Sequence, residues 1–149
     1  MPNEAVDIVL IEDNPDDIEL TLRAFKKYNL TNKIIVLRDG EDALDYIFSR
    51  GKYEGHSKHE RPKLILLDLK LPKIDGLEVL RELKGDESTK MVPVVVLTSS
   101  KEERDLVESY RLGVNSYIKK PVDFAEFMEC IKNLGLYWVI LNEIPESWN

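Results

Sequence analysis

Three acids, a hydroxyl and a lysine stand where apolar runs end. Val9-Leu10-Ile11 leads into Glu12-Asp13, Leu64-Ile65-Leu66-Leu67 into Asp68, and Val94-Val95-Val96-Leu97 into Thr98. A fourth run, Ser116-Tyr117-Ile118-Lys119, delivers Lys120, followed by Pro121. Carboxylates gathered at ~5 Å repel by about 3 kcal/mol per pair at an effective dielectric of ~20, so a chain brings three together only around a cation. Hard oxygen ligands with no Cys or His nearby suit Mg²⁺ or Mn²⁺ better than zinc. A divalent cation, the Lys120 ammonium and the Thr98 hydroxyl would form a neutralised pocket for a phosphoryl group. Within it a carboxylate can serve as nucleophile and form an acyl phosphate, and Asp68 is the candidate.

Those residues meet only if the apolar runs are neighbouring strands. Near-continuous aliphatic runs are the mark of parallel strands covered on both faces. Five of them alternate with amphipathic helical patterns. Strands are predicted at 6–11, 33–37, 63–67, 93–97 and 116–119. Helices are predicted at 15–28, 40–50, 75–84, 101–112 and from about 123, with Ile18, Leu22 and Phe25, then Ala43, Leu44 and Ile47, then Leu77, Leu80 and Leu83 on the buried faces. The expectation is a three-layer αβα domain of right-handed βαβ units. Its five-stranded parallel sheet would run in the order 2-1-3-4-5, so the third strand places Asp68 at the centre of the ligand-binding rim.

Local helix-start signals separate structural acids from functional ones. Asn14-Pro15-Asp16-Asp17 supplies an N-cap, a first-turn proline and first-turn acids. Ser100-x-x-Glu103 is a capping box and Asp123-x-x-Glu126 an acidic variant of it; Asp75 caps the third helix. Capping thus accounts for Asp16, Asp17, Asp75 and Asp123, but not for Glu12, Asp13 or Asp68.

The 149 residues fit one domain with a real core, and 43% hydrophobic with 33% charged residues is ordinary for a soluble protein. A net charge of −7 argues against non-specific nucleic-acid binding, which needs a basic face. No signal peptide or membrane-spanning run is visible, and the lone Cys130 excludes an internal disulfide framework, so a cytoplasmic location is expected. No basic helix-turn-helix follows, and the domain is expected to work alone. Both histidines, His56 and His59, fall in a polar stretch at 50–62 and lack the further ligands a metal site requires; a solvated loop is expected there.

The segments Leu10-Ile11-Glu12-Asp13-Asn14, Leu66-Leu67-Asp68-Leu69-Lys70-Leu71-Pro72-Lys73-Ile74-Asp75-Gly76, Val96-Leu97-Thr98-Ser99-Ser100 and Tyr117-Ile118-Lys119-Lys120-Pro121 resemble, in order and spacing, the receiver domain of two-component response regulators. The likeness covers roughly residues 5–134. The polar loop after helix 2 and the tail further resemble the stand-alone regulators that partner bacteriophytochromes. The resemblance implies that Asp68 accepts phosphate from a sensor histidine kinase or a histidine phosphotransfer protein, the chain catalysing its own phosphorylation and dephosphorylation rather than acting on a separate substrate. It implies Mg²⁺ bound by Asp13, Asp68 and the backbone carbonyl of Lys70, with Glu12 acting through water. Lys120 would pair with a phosphoryl oxygen, and the Lys120-Pro121 bond is expected to be cis. Thr98 would move to the phosphoryl group and Tyr117 would turn inward, switching the helix 4–strand 5–helix 5 face. Lys70 and Ser100 would set the lifetime of the phosphorylated state.

Other classes fit less well. A flavodoxin-like cofactor binder shares the fold, but Glu12-Asp13 would repel its ligand's phosphate. A haloacid-dehalogenase-type phosphatase wants an acid two residues beyond the nucleophile, where this chain has Lys70. An interaction-only pseudo-receiver would lack a site residue, and none is missing.

The fifth helix carries a core stripe at Phe124, Phe127, Met128, Ile131 and Leu134, which closes a receiver domain at 1–134. Residues 135–149 form a C-terminal extension that begins Gly135-Leu136-Tyr137-Trp138-Val139-Ile140-Leu141, apolar nearly all round. It either folds back on its own domain or buries against a second chain, and a homodimer is expected, anchored by Tyr137, Trp138, Ile140 and Leu141.

Overall fold

The computed structural model describes residues 6–30, 33–55 and 62–145. The expectations for His56 and His59 and for 146–149 lie outside them. Five parallel strands, β1 (Ile8–Ile11), β2 (Ile34–Leu37), β3 (Leu64–Leu67), β4 (Val94–Thr98) and β5 (Ser116–Lys119), form one sheet in the order β2-β1-β3-β4-β5. The helices are α1 (Pro15–Lys27), α2 (Gly40–Ile47), α3 (Gly76–Gly85), α4 (Glu103–Leu112) and α5 (Phe124–Leu134), with a 3₁₀ turn at Gly51–Tyr53. This is the flavodoxin-like three-layer arrangement expected.

Alternate residues of each strand enter different cores, which is why the strands read as unbroken aliphatic runs. Ile8, Leu10, Leu64, Leu66, Val95 and Leu97 pack with Ile18, Phe25, Phe127 and Ile131 under α1 and α5. Val9, Ile11, Ile65, Leu67, Val94 and Val96 pack with Leu44, Val79, Leu80 and Leu83 under α2 and α3. The register sets Ile11 opposite Leu67 and Leu67 opposite Val96, so the residues that follow these strands emerge on one rim.

Several local expectations shift. Helix α1 buries Ile18, Thr21, Ala24 and Phe25, which rotates Leu22 outward to 36% exposure. Helix α2 stops at Ile47 because Ser49 adopts φ 53°, outside any right-handed helix. Phe124 is exposed, since it sits at the first position after the Asp123 cap rather than over the sheet. The Ser100-Glu103 capping box does not form: α4 starts at Glu103 with Glu102 before it and no side-chain cap, because the Ser100 hydroxyl turns instead to Asp105. Asn14, Asp75 and Asp123 cap as expected, accepting from the amides of Asp16 and Asp17, of Glu78, and of Glu126.

Beyond Leu134 the helix does not break. Gly135 keeps right-handed angles, and residues Gly135–Leu141 continue as a π-helix. A Cβ on Gly135 would lie 2.6 Å from a Leu30 methyl carbon, so glycine lets the tail close against the α1 layer. Val139 is buried there and Trp138 is half-buried against the same core, while Tyr137, Ile140 and Leu141 are exposed. One face of the tail therefore covers its own domain and the other remains open. Among the described residues no helix is long and apolar enough to cross a membrane.

Candidate functional site

Backbone pairing carries the site residues to the rim. The Glu12 amide donates to the Leu37 carbonyl at 3.0 Å, the Asp68 amide to Ile11 at 3.0 Å, and the Lys120 amide to Thr98 at 2.7 Å. Each is the first hydrogen bond past a strand end, so main-chain geometry fixes where the side chains depart. Gly76, at the start of α3, sits so close to this rim that a Cβ would fall 2.4 Å from the Asp68 carbonyl oxygen. Any larger residue would push α3 or Asp68 aside, which accounts for glycine there.

Carboxylate oxygens of Glu12, Asp13 and Asp68 lie within 4.8 Å of one another. Glu12 and Asp68 are buried and Asp13 is exposed, so the cluster is open on one side. Three oxygen-donor groups, no sulfur or nitrogen donor, and an open side fit Mg²⁺ or Mn²⁺. Glu12 is itself held rigid: one oxygen accepts from the amides of Asp13 and Asn14 at 3.1 and 3.2 Å, the other from Lys120 at 2.6 Å. Lys70 enters through its amide, which donates to Asp68 Oδ1 at 3.3 Å.

Lys120 bridges the acids. Its Nζ lies 2.6 Å from Glu12, 2.8 Å from Asp17 and 3.1 Å from Asp68. Asp17 was expected only as a first-turn acid of α1; the structure adds it to the site. Its sequence signal, an acid one helical turn beyond Asp13, is indistinguishable from ordinary N-terminal charge on a helix. With Asp17 included, a divalent cation and Lys120 no longer neutralise the acids but leave one negative charge. Lys120 reaches all three carboxylates across a trans Lys120-Pro121 bond, contrary to the cis bond expected. Trans is the intrinsically lower form by about 0.5–1 kcal/mol, and with it the Lys120 amide holds Thr98 while Nζ holds the acids.

Burial and charge crowding together set the protonation of the site. Burial and then the neighbouring Asp68 charge push Glu12 up to about 7, with the Lys120 hydrogen bond working the other way. Burial alone would lower Lys120, but its bonds to Asp17 and Glu12 and the Asp68 charge hold it above the usual lysine range.

Thr98 is fully buried, and its Oγ1 accepts from the Ser100 amide at 3.2 Å. The Tyr117 hydroxyl is already enclosed, beside Ser100 but without completing a hydrogen bond; burial and the nearby acids raise its pKa. Next to Asp13 a groove of about 670 Å³ runs past Lys70 and Pro72 to Arg104 and Asp105.

Comparison with known proteins agrees with this geometry. The family model of the response regulator receiver domain matches residues 8–132. The chain is 41% identical over 138 residues to the probable methanogenesis regulatory protein FilR2 of Methanothrix harundinacea, covering 93% of this chain and 86% of that one. It is 38% identical to response regulator Rcp1 of Synechocystis sp. over 140 residues, 94% of this chain and 93% of that one. The Mn²⁺-bound crystal structure of Rcp1 superposes with a TM-score of 0.86, covering 94% and 99% of the two chains. The phosphorylated cyanobacterial phytochrome response regulator RcpA superposes equally well, at 0.86 and 39% identity over 95% of this chain and 99% of that one.

Proposed function

The chain belongs to the response regulator receiver family, and from that premise we propose that Asp68 is its phosphoacceptor. A carboxylate oxygen of Asp68 attacks the phosphorus of a phosphohistidine on a sensor kinase or phosphotransfer protein. The new O–P bond forms as the P–N bond breaks, and its electron pair leaves with the imidazole. The observation that carries this reading is a buried carboxylate at the sheet's central rim, bonded to Lys120 and grouped with two further acids. Asp13, Asp68, the Lys70 carbonyl and, through water, Glu12 would hold Mg²⁺ or Mn²⁺, which would supply positive charge against the phosphoryl oxygens. Lys120 shifts from carboxylates to a phosphoryl oxygen, and the Thr98 hydroxyl donates to another. Tyr117 and the α4–β5–α5 face read out the change. Lys70 and Ser100 flank the pocket and set the lifetime of the acyl phosphate, which the chain itself hydrolyses.

The likeness to RcpA supports a phytochrome-type kinase as the phosphate source. The protein acts in the cytoplasm as a receiver at 1–134 with a dimerising extension at 135–149. The support for the dimer is the exposed Tyr137, Ile140 and Leu141 beside a groove of about 650 Å³ lined by Ile118, Cys130, Leu134 and Trp138.

The deciding experiment is incubation with a small acyl phosphate and Mg²⁺, followed by intact-protein mass. One phosphoryl group should be gained by the wild type and none by Asp68→Asn, whose amide cannot act as the nucleophile. Equal incorporation in the variant would move the acceptor elsewhere.

A further inference from the structure

Helix α4 differs from its neighbours in which side chains it buries fully. Its buried residues are Asp105 and Ser109, while Val107 and Tyr110 are 41% and 55% exposed. Helices α2, α3 and α5 instead bury aliphatic or aromatic side chains on their sheet-facing sides. What fastens α4 at its first turn is polar: the Ser100 hydroxyl donates to Asp105 Oδ2 at 2.5 Å, with both residues buried. Ser100 is also tied to the phosphoacceptor pocket, since its amide donates to Thr98 Oγ1. An unbroken chain, Thr98–Ser100–Asp105, therefore runs from the pocket into α4.

Two enclosed side-chain oxygens among the described residues lack any hydrogen-bond partner, Ser109 Oγ and the Tyr117 hydroxyl. Ser109 lies one turn after Asp105 on the same helix face, and the Tyr117 hydroxyl is enclosed beside Ser100, whose own hydroxyl bonds Asp105. A buried donor without an acceptor is unfavourable, and Asp105 is an acceptor within the same polar pocket. Asp105 thus has one made hydrogen bond, from Ser100, and two donors lack a partner, Ser109 Oγ on its own helix and the Tyr117 hydroxyl on β5.

We propose that Asp105 is a positioning residue that ties α4 to Thr98 through Ser100, and that recruitment of Thr98 by a phosphoryl group releases this tie, the Asp105 carboxylate then accepting from the Tyr117 hydroxyl. The tie is a property of the free protein; its release rests on Asp68 being the phosphoacceptor. Leu112 packs the far end of α4 on the core, so the fully buried contact at its first turn is the polar one, and exchange of that bond frees the N-terminal end of the helix.

Amide hydrogen exchange over 103–112 tests it, with α1 as the internal reference. In the unmodified protein Ser100→Ala and Asp105→Ala should each speed α4 exchange by about tenfold, the factor that one lost buried hydrogen bond produces. The double variant should add nothing further, because both substitutions break the same bond. Asp105→Asn keeps an acceptor oxygen and should restore wild-type exchange. Unchanged α4 exchange, additive effects, or an Asn variant as fast as Ala would each overturn the proposal. Treatment with a small acyl phosphate and Mg²⁺ should bring wild-type α4 toward the Ser100→Ala rate, less so in Tyr117→Phe, and leave Asp105→Ala as it was. A wild type that gains phosphoryl mass without this change in α4 refutes the coupling. A wild type that gains no mass refutes the phosphoacceptor reading, and the comparison of unmodified variants still decides the tie.

Discussion

The Lys120 ammonium lies 2.8 Å from the Asp17 carboxylate, closer than the 3.1 Å that separates it from Asp68. The lysine that would pair with an incoming phosphoryl oxygen is thus shared with an acid from the first turn of α1. Asp17 is about a quarter exposed, so it is the partner most readily exchanged for solvent or ligand.

Asp17→Asn should therefore raise the rate of phosphorylation by a small anionic donor several-fold, since it removes one negative charge facing that donor and frees Lys120. Raising the salt concentration should narrow the difference between variant and wild type. Single-turnover incorporation at low and high ionic strength measures both. A slower variant would mean that Asp17 is needed to aim Lys120, not to restrain it.

Glu12 makes a pH prediction. Its carboxyl is raised to about 7 in the folded protein against an ordinary value of 4.5. Between those two values the folded state holds a proton that the unfolded state has lost. The resulting stability is full below the lower value and disappears as pH rises through the upper one. Without divalent cation, the wild type should lose on the order of 1–3 kcal/mol between pH 5 and pH 8 from this group. Glu12→Gln, which cannot ionise, should flatten that part of the profile. Thermal melts of both proteins across the range, with chelator, would settle it; parallel profiles would remove Glu12 as the cause.

The β-αβ order and the rim were readable because strands buried on both faces demand aliphatic residues at every position, which makes Asp68 and Thr98 conspicuous where the run stops. Asp17 was not readable, because an acid in a helix's first turn has a sufficient local reason to be there. Ser100 misled for the same kind of reason: Ser-x-x-Glu satisfies the capping pattern, but the hydroxyl finds a buried carboxylate five residues on, a contact made only once α4 is docked. The outward Phe124 has a local cause that the apolar stripe hides, its place directly after the Asp123 cap.

Lys84 predicts a cost far from the rim. Burial pulls its ammonium down to about 8, yet its Nζ donates to the Lys90 and Val92 carbonyls and to Asn115 Oδ1, at 3.1, 2.9 and 3.1 Å. Only the charged form has three protons to give, so these bonds oppose the burial effect. They pin the end of α3 to the segments entering β4 and β5. Lys84→Met keeps the aliphatic stem but takes the ammonium donor from the Lys90 and Val92 carbonyls, while Asn115 Oδ1 keeps the Val94 amide, and should lower unfolding free energy by about 2 kcal/mol. Urea denaturation would detect that loss, and an unchanged midpoint would show that water replaces the ammonium at no cost.

The tail carries the prediction about assembly. Val139 and Trp138 lean on the α1–α5 core, so Trp138 is divided between its own domain and any partner. Tyr137, Ile140 and Leu141 are more than half exposed and form a contiguous apolar edge at the end of the α5 layer. The Tyr137 ring stands edge-on to Trp138 at 4.9 Å, which fixes the orientation of the exposed aromatic before any partner arrives. Ile140→Glu places a charge on that edge without touching the self-packed face, and is the cleaner probe. Sedimentation at micromolar concentration should give a dimer for the wild type and a monomer of unchanged thermal stability for Ile140→Glu. Phosphorylation should shift the wild-type equilibrium only if the two states of the α4–β5–α5 face dimerise with different affinities. A wild type that stays monomeric would leave the edge to a different protein partner, and a dimer that survives Ile140→Glu would place the interface elsewhere.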